Sequence, residues 1–122
     1  MSTIVCVDDE AAVCSVFRRV LTKTGANVRT FTDARAALDY LREHEAVLVV
    51  CDYRMPALNG LELLARLPRA TPFVMISGDL DVHELVADAP GVTAVLQKPF
   101  RPEELLALVR RHLPAPSARG RG

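Results

Sequence analysis

Short apolar runs of strand length alternate along this chain with stretches of helical period, and that alternation restricts its fold more than any other feature. Thr3–Val7 (TIVCV) is short, β-branched and almost wholly apolar. In Ala11–Leu21, which follows, Val13, Val16, Phe17, Val20 and Leu21 recur at i, i+3, i+4, i+7 and i+8, one stripe of an amphipathic helix. Gly25 ends that helix. Asn27–Phe31 reads as a second strand, and Asp33 caps a helix running to about Glu43 with Leu38 and Leu41 inward. Ala46–Cys51 is the third strand; Asn59-Gly60 marks a turn before a short helix carrying Leu61, Leu64 and Leu67, closed by Pro68. Pro72–Ile76 is the fourth strand, and Asp81-x-x-Glu84 resembles a capping box ahead of Leu85 and Val86. Gly91 precedes the fifth strand, Val92–Leu96. Pro102 then opens a last helix through Leu105, Leu106, Val109 and Leu113 that ends near Pro114.

Five strand-then-helix units make an α/β fold. Strands one, three and four are nearly continuously hydrophobic, so they are expected to be covered on both faces, central and parallel. Strand two, with Arg29 between Val28 and Thr30, looks like an edge. A doubly wound, five-stranded parallel sheet in the order 2-1-3-4-5, flavodoxin-like, fits this pattern, with its switch point between strands one and three.

At 122 residues and 50% hydrophobic, the chain is long enough for one core and is expected to form one domain over residues 1–113. Residues 114–122 (PAPSARGRG), with no period, are expected to be a flexible tail or the start of a linker. That tail holds two arginines and no acid, leaving 13 basic and 15 acidic groups in the rest. The balance gives no case for nucleic acid or an acidic membrane. The longest apolar run, Ala46–Cys51, is far short of the roughly 20 residues of a membrane span. MSTIVCVDDE does not read as a signal peptide, so a soluble, cytoplasmic domain starting at a natural N-terminus is expected. Cys6, Cys14 and Cys51 are odd in number and lack paired spacing; Cys6 and Cys51, inside apolar runs, are expected to be buried and inert. His44, His83 and His112 have no i, i+4 partner and read as helix-surface residues.

The strongest chemical signal is positional. Asp8-Asp9 follow strand one, Asp52 strand three, Ser77 strand four and Lys98 strand five. Parallel strands point their C-terminal ends the same way, so three carboxylates, a hydroxyl and an ammonium are expected in one crevice. Clustered carboxylates repel, and an all-oxygen set suits a hard cation, Mg2+ in the first instance. A carboxylate beside such a cation, an ammonium and a hydroxyl is equipped to attack a phosphoryl donor and become an aspartyl phosphate.

With these residues in place, the chain resembles the receiver domains of bacterial two-component response regulators. The motifs that carry the resemblance are Val7-Asp8-Asp9-Glu10, Cys51-Asp52-Tyr53-Arg54-Met55-Pro56 with Asn59-Gly60, Ile76-Ser77-Gly78, and Lys98-Pro99-Phe100. The resemblance implies that Asp52 accepts a phosphoryl group from a histidine kinase or a histidine phosphotransfer protein. It implies Asp9 and Asp52 as direct Mg2+ ligands, Asp8 acting through water, and the backbone carbonyl of Arg54 as a further ligand. Ser77 and Lys98 would bind the phosphoryl oxygens, and Lys98–Pro99 would be a cis peptide. Where such domains often carry an aromatic three residues before the lysine, this chain has Val95, which has no ring to relocate; Phe100 is a substitute mover or a packed core aromatic.

Arg54 and Asp79, each two residues past a site residue, are expected to flank the crevice and to pair over the phosphoryl group. The competing reading is a Mg2+-dependent phosphohydrolase with an aspartyl nucleophile, but the position two beyond Asp52 is Arg54 rather than a second acid. A degenerate module that never phosphorylates is disfavoured by the intact acids, Ser77 and Lys98. The expected activity is that of a signalling switch with at most slow self-phosphorylation and self-dephosphorylation. Residues 114–122 do not read as a DNA-binding or catalytic domain, and the expected output is through protein contacts, from a stand-alone receiver or as part of a longer regulator or hybrid kinase. Leu96–Leu105 also resembles receivers attached to hybrid sensor kinases. The oligomeric state, a homodimer among the options, is left open.

Overall fold

Successive residues of a strand point to opposite faces, so a run apolar at every position has to be covered twice. The computed structural model, which describes residues 2–78, 84 and 86–114, has that arrangement. Strands β1 (Thr3–Val7), β2 (Asn27–Phe31), β3 (Leu48–Asp52), β4 (Phe73–Ser77) and β5 (Ala94–Gln97) form one parallel sheet in the order β2-β1-β3-β4-β5. Among the described residues the sheet is flanked by helices α1 (Ala11–Leu21), α2 (Ala34–Glu43), α3 (Gly60–Ala65) and α4 (Pro102–His112).

On one face Ile4, Cys6, Val50, Val74 and Ile76 meet Phe17, Val20 and Leu21 of α1 and Leu105, Leu108 and Val109 of α4. On the other, Val5, Val7, Val49, Cys51, Phe73 and Met75 meet Ala37, Leu38 and Leu41 of α2, Leu63 of α3 and Val86. The central strands β1, β3 and β4 are buried at every position, whereas β2 and β5 are the partly exposed edges. The helix signals operate locally as expected. Asp33 accepts from the Arg35 N–H at 3.1 Å, and Asn59 and Glu62 close a reciprocal capping box at 2.8 and 2.9 Å. Gly25 takes a positive φ of 85°.

Three strands differ in their limits from the sequence expectation. β3, β4 and β5 begin one or two residues later and end one residue later than Ala46–Cys51, Pro72–Ile76 and Val92–Leu96. The ladder depends on backbone groups, and it continues through the polar residues: Tyr53 N–H donates to the Ile76 carbonyl and Lys98 N–H to the Ser77 carbonyl, both at 2.8 Å. Asp52 and Ser77 are therefore the last residues of buried strands instead of the first residues of loops. In α3 the buried leucine is Leu63, while Leu61, Leu64 and Leu67 are half-buried on its flank. In α1 Cys14 is buried, and Val13 and Val16 are half-buried. Most of the Asp81-x-x-Glu84 box and the 115–122 tail lie outside the described residues.

Gly60 has a role beyond its turn. A Cβ there would lie 2.3 Å from the Met75 sulfur and 3.1 Å from the Asp52 carbonyl oxygen, so α3 packs on the strand end that carries Asp52 only because the residue is glycine. Gly60→Ala is expected to destabilise the fold by about 1–3 kcal/mol in urea titration, through overpacking. A Met75→Ala background should recover part of that loss; full additivity of the two substitutions would contradict the contact.

Candidate functional site

Register brings the polar residues together. Val7 pairs with Cys51, so Asp8, one residue on, is level with Asp52. Asp52 pairs with Ile76, Ser77 with Gln97, and Lys98 follows. From β3 to β4 and again from β4 to β5 the contributed residue lies one step further along, and all of them stand at the C-terminal edge of the sheet. Carboxylate oxygens of Asp8, Asp9 and Asp52 lie within 4.8 Å of one another. Lys98 Nζ is 3.1 Å from Asp52 Oδ1 and 3.4 Å from Asp8 Oδ2. Ser77 is buried beside them at the end of β4. The mouth of the crevice is lined by Asp9, Glu10, Asp52, Arg54, Gly78 and Lys98.

Burial differs sharply among the acids. Asp8 is 0% exposed and Asp52 5%, while Asp9 is exposed at the rim. Burial pushes the Asp52 carboxyl up to about 6, with the Asp8 charge adding to the effect and Lys98 opposing it. Burial also raises Asp8, against the Glu10 N–H that its Oδ1 accepts at 2.8 Å and against Lys98. Lys98 loses stability as a cation through burial, yet its ion pairs with Asp52 and Asp8 outweigh that and raise it. One ammonium thus faces three carboxylates, two of them buried. An oxygen-only donor set carrying this excess of negative charge fits a hard divalent cation such as Mg2+.

Of the site residues expected from sequence, Asp8, Asp9, Asp52 and Lys98 thus meet through their side chains, Ser77 lies buried at the end of the neighbouring β4, and Arg54 joins them on the rim. Its expected partner Asp79 lies outside the described residues, as does His83. His44 is exposed and stacks on Tyr40 with ring centroids 4.3 Å apart; His112 is half-buried. All three cysteines are free and buried, and burial raises each thiol. Lys98–Pro99 is cis. Val95 packs, half-buried, on the α2–α3 face of the sheet. Phe100 lies on the opposite face, its ring 6.4 Å from that of Phe17 and 4° from parallel. As a packed aromatic on that face, Phe100 does not occupy the space beside Val95.

A family model, that of the response regulator receiver domain, matches residues 4–110. Among curated proteins the chain is similar to the response regulator ArlR of Staphylococcus aureus, 33% identical over 113 residues. The match covers 90% of this chain and 52% of ArlR, so the chain spans about half the length of the curated relatives it matches. Among solved structures it is similar to the chemotaxis protein CheY4 of Vibrio cholerae, with 28% identity, a TM-score of 0.80, and 93% and 99% of the two chains covered. It is also similar to the receiver domain of an HD domain-containing protein from Pseudomonas fluorescens, with 27% identity, a TM-score of 0.81, and 92% and 86% covered.

The raised Asp52 makes a prediction with a definite sign. Its proton is held more tightly in the folded chain than in the unfolded one, so ionisation weakens the fold as pH rises from about 4 to about 6, and fully above that. In metal-free buffer Asp52→Asn is therefore expected to match wild type near pH 4 and to exceed its stability by about 1–3 kcal/mol at pH 7. Urea titrations across that range check this; an advantage that is constant with pH would contradict it.

Proposed function

The chain belongs to the response regulator receiver domain family, and from that membership we propose that Asp52 is its phosphoacceptor. The observation that carries the assignment is that the Asp52 carboxylate meets the Lys98 ammonium at 3.1 Å and has carboxylate oxygens of Asp8 and Asp9 within 4.8 Å. Of the two buried carboxylates, Asp52 is the one that borders the mouth of the crevice, where a phosphoryl donor would enter.

In the proposed reaction a carboxylate oxygen of Asp52 attacks the phosphorus of a phosphohistidine on a kinase or phosphotransfer partner. A P–O bond forms as the P–N bond breaks, and the imidazole leaves with the electron pair and takes up a proton. Lys98 moves its ammonium from the free carboxylate to a phosphoryl oxygen, and the Ser77 hydroxyl donates to another. Asp8, Asp9, Asp52 and the Arg54 carbonyl would hold Mg2+, which when bound neutralises the charge on the transferring group. The excess of carboxylate over ammonium in the crevice is what gives this chain its affinity for such an ion. Arg54, in place of a second acid two residues beyond Asp52, supports a phosphorylated switch over a turning-over hydrolase. Signal passes onward by a shift between conformations that alters protein contacts. We place the domain in the cytoplasm; no helix among the described residues is long and apolar enough to cross a membrane.

Incubation with Mg2+ and a small acyl phosphate, followed by intact mass and site mapping, tests the assignment. Wild type is expected to gain one phosphoryl group on Asp52. Asp52→Asn should gain none, and Lys98→Ala should lose at least about 10-fold in rate, because its ammonium acts on the transferring group. Uptake that persists in Asp52→Asn, or a phosphate mapped elsewhere, would overturn it.

A further inference from the structure

Asp8 is wholly buried, and each of its polar groups has a partner. Its N–H donates to the Phe31 carbonyl at 3.0 Å, its Oδ1 accepts from the Glu10 N–H at 2.8 Å, and its Oδ2 faces Lys98 at 3.4 Å. The fourth group, the Asp8 carbonyl, accepts from the Cys14 thiol at 3.3 Å. The same sulfur lies 3.5 Å from the Phe31 carbonyl, the acceptor of the Asp8 N–H. One turn further along α1, Arg18 donates to Thr30 Oγ1, so residues 14 and 18 tie the helix to consecutive residues of β2. α1 has no side-chain hydrogen bond at its N-cap, Glu10. The turn carrying Asp8 and Asp9 is thus held from the helix side by a thiol.

We propose that Cys14 is a positioning residue for the divalent-cation site: its S–H, shared between the Asp8 and Phe31 carbonyls, holds the β1–α1 turn in the pose that aims Asp8 and Asp9 at Asp52. The assignment rests on the cation reading given above. A thiol is a weak donor, so the role is one of geometry more than of binding strength. Serine, which also donates, can take it over; valine, apolar and without a donor, cannot. Cys14 touches neither cation nor substrate and acts through the Asp8 backbone.

The test compares wild type, Cys14→Val and Cys14→Ser in the full chain, titrated with Mg2+ alone and followed by amide chemical shifts. The Mg2+ dissociation constant is expected to rise about 10-fold in Cys14→Val, the usual scale for removing support behind a metal ligand. In Cys14→Ser it should stay within about two-fold of wild type. Without metal, the Asp8 amide should exchange with solvent about 10-fold faster in Cys14→Val and at the wild-type rate in Cys14→Ser, a readout that needs no bound ion. Cys14→Ala enters the same comparison should the valine variant not fold. Wild-type affinity in Cys14→Val, or equal weakening in valine and serine variants, would overturn the role of Cys14 alone. A wild-type protein that binds no Mg2+ would overturn the cation reading and this inference with it.

Discussion

The pairing of Lys98 with both Asp52 and Asp8 is the interaction on which the site depends. It spans the sheet from β5, across β4, to β3 and β1, and it joins groups 90 residues apart in sequence. Isolated, either buried carboxylate would be strongly disfavoured as an anion; together they would repel, and the single ammonium offsets only part of that. The fold therefore holds a local excess of negative charge where the strands end. A divalent cation held by these acids, as proposed, would relieve it from the rim side, where Asp9 is exposed. A phosphoryl group on Asp52 would instead engage Lys98 and Ser77.

The two faces of the sheet assign different neighbours to that edge. Val95 belongs to the α2–α3 side, and Phe100, two residues past Lys98, belongs to the α1–α4 side, stacked on Phe17. A movement of Lys98 toward a phosphoryl group would pull on Pro99 and Phe100, and so on α1, while Val95 offers no ring to swing on the other side. Cys14 places a second link between α1 and the acids, through the backbone of Asp8. Changes at the crevice are mechanically closer to α1 than the identity of residue 95 alone would suggest.

Most of the architecture was legible from period and punctuation. The strand order followed from which runs lacked polar residues, and Asp33, Asn59, Gly25 and Pro102 marked helix ends that the structure reproduces. The site was legible because parallel strands align their ends, so residues following separate runs had to meet. Strand limits were less legible: Asp52 and Ser77 look like loop residues by type, yet their backbones pair in the ladder. The close approach of Gly60 to Met75 and the thiol bridge of Cys14 were not legible at all. Both join residues distant in sequence, and neither glycine after asparagine nor cysteine within a helix announces such a contact.

The most direct test of this account is thermal unfolding of the wild-type protein at pH 7 in increasing Mg2+, at constant ionic strength set with KCl. A crevice with unrelieved carboxylate repulsion binds the ion in its folded state only, so the midpoint should climb with the logarithm of Mg2+ once the site fills, with about 2.7 kcal/mol gained at 100 times the dissociation constant. A midpoint indifferent to Mg2+ would mean that Lys98 alone already balances the three acids, and the account of the site would fail.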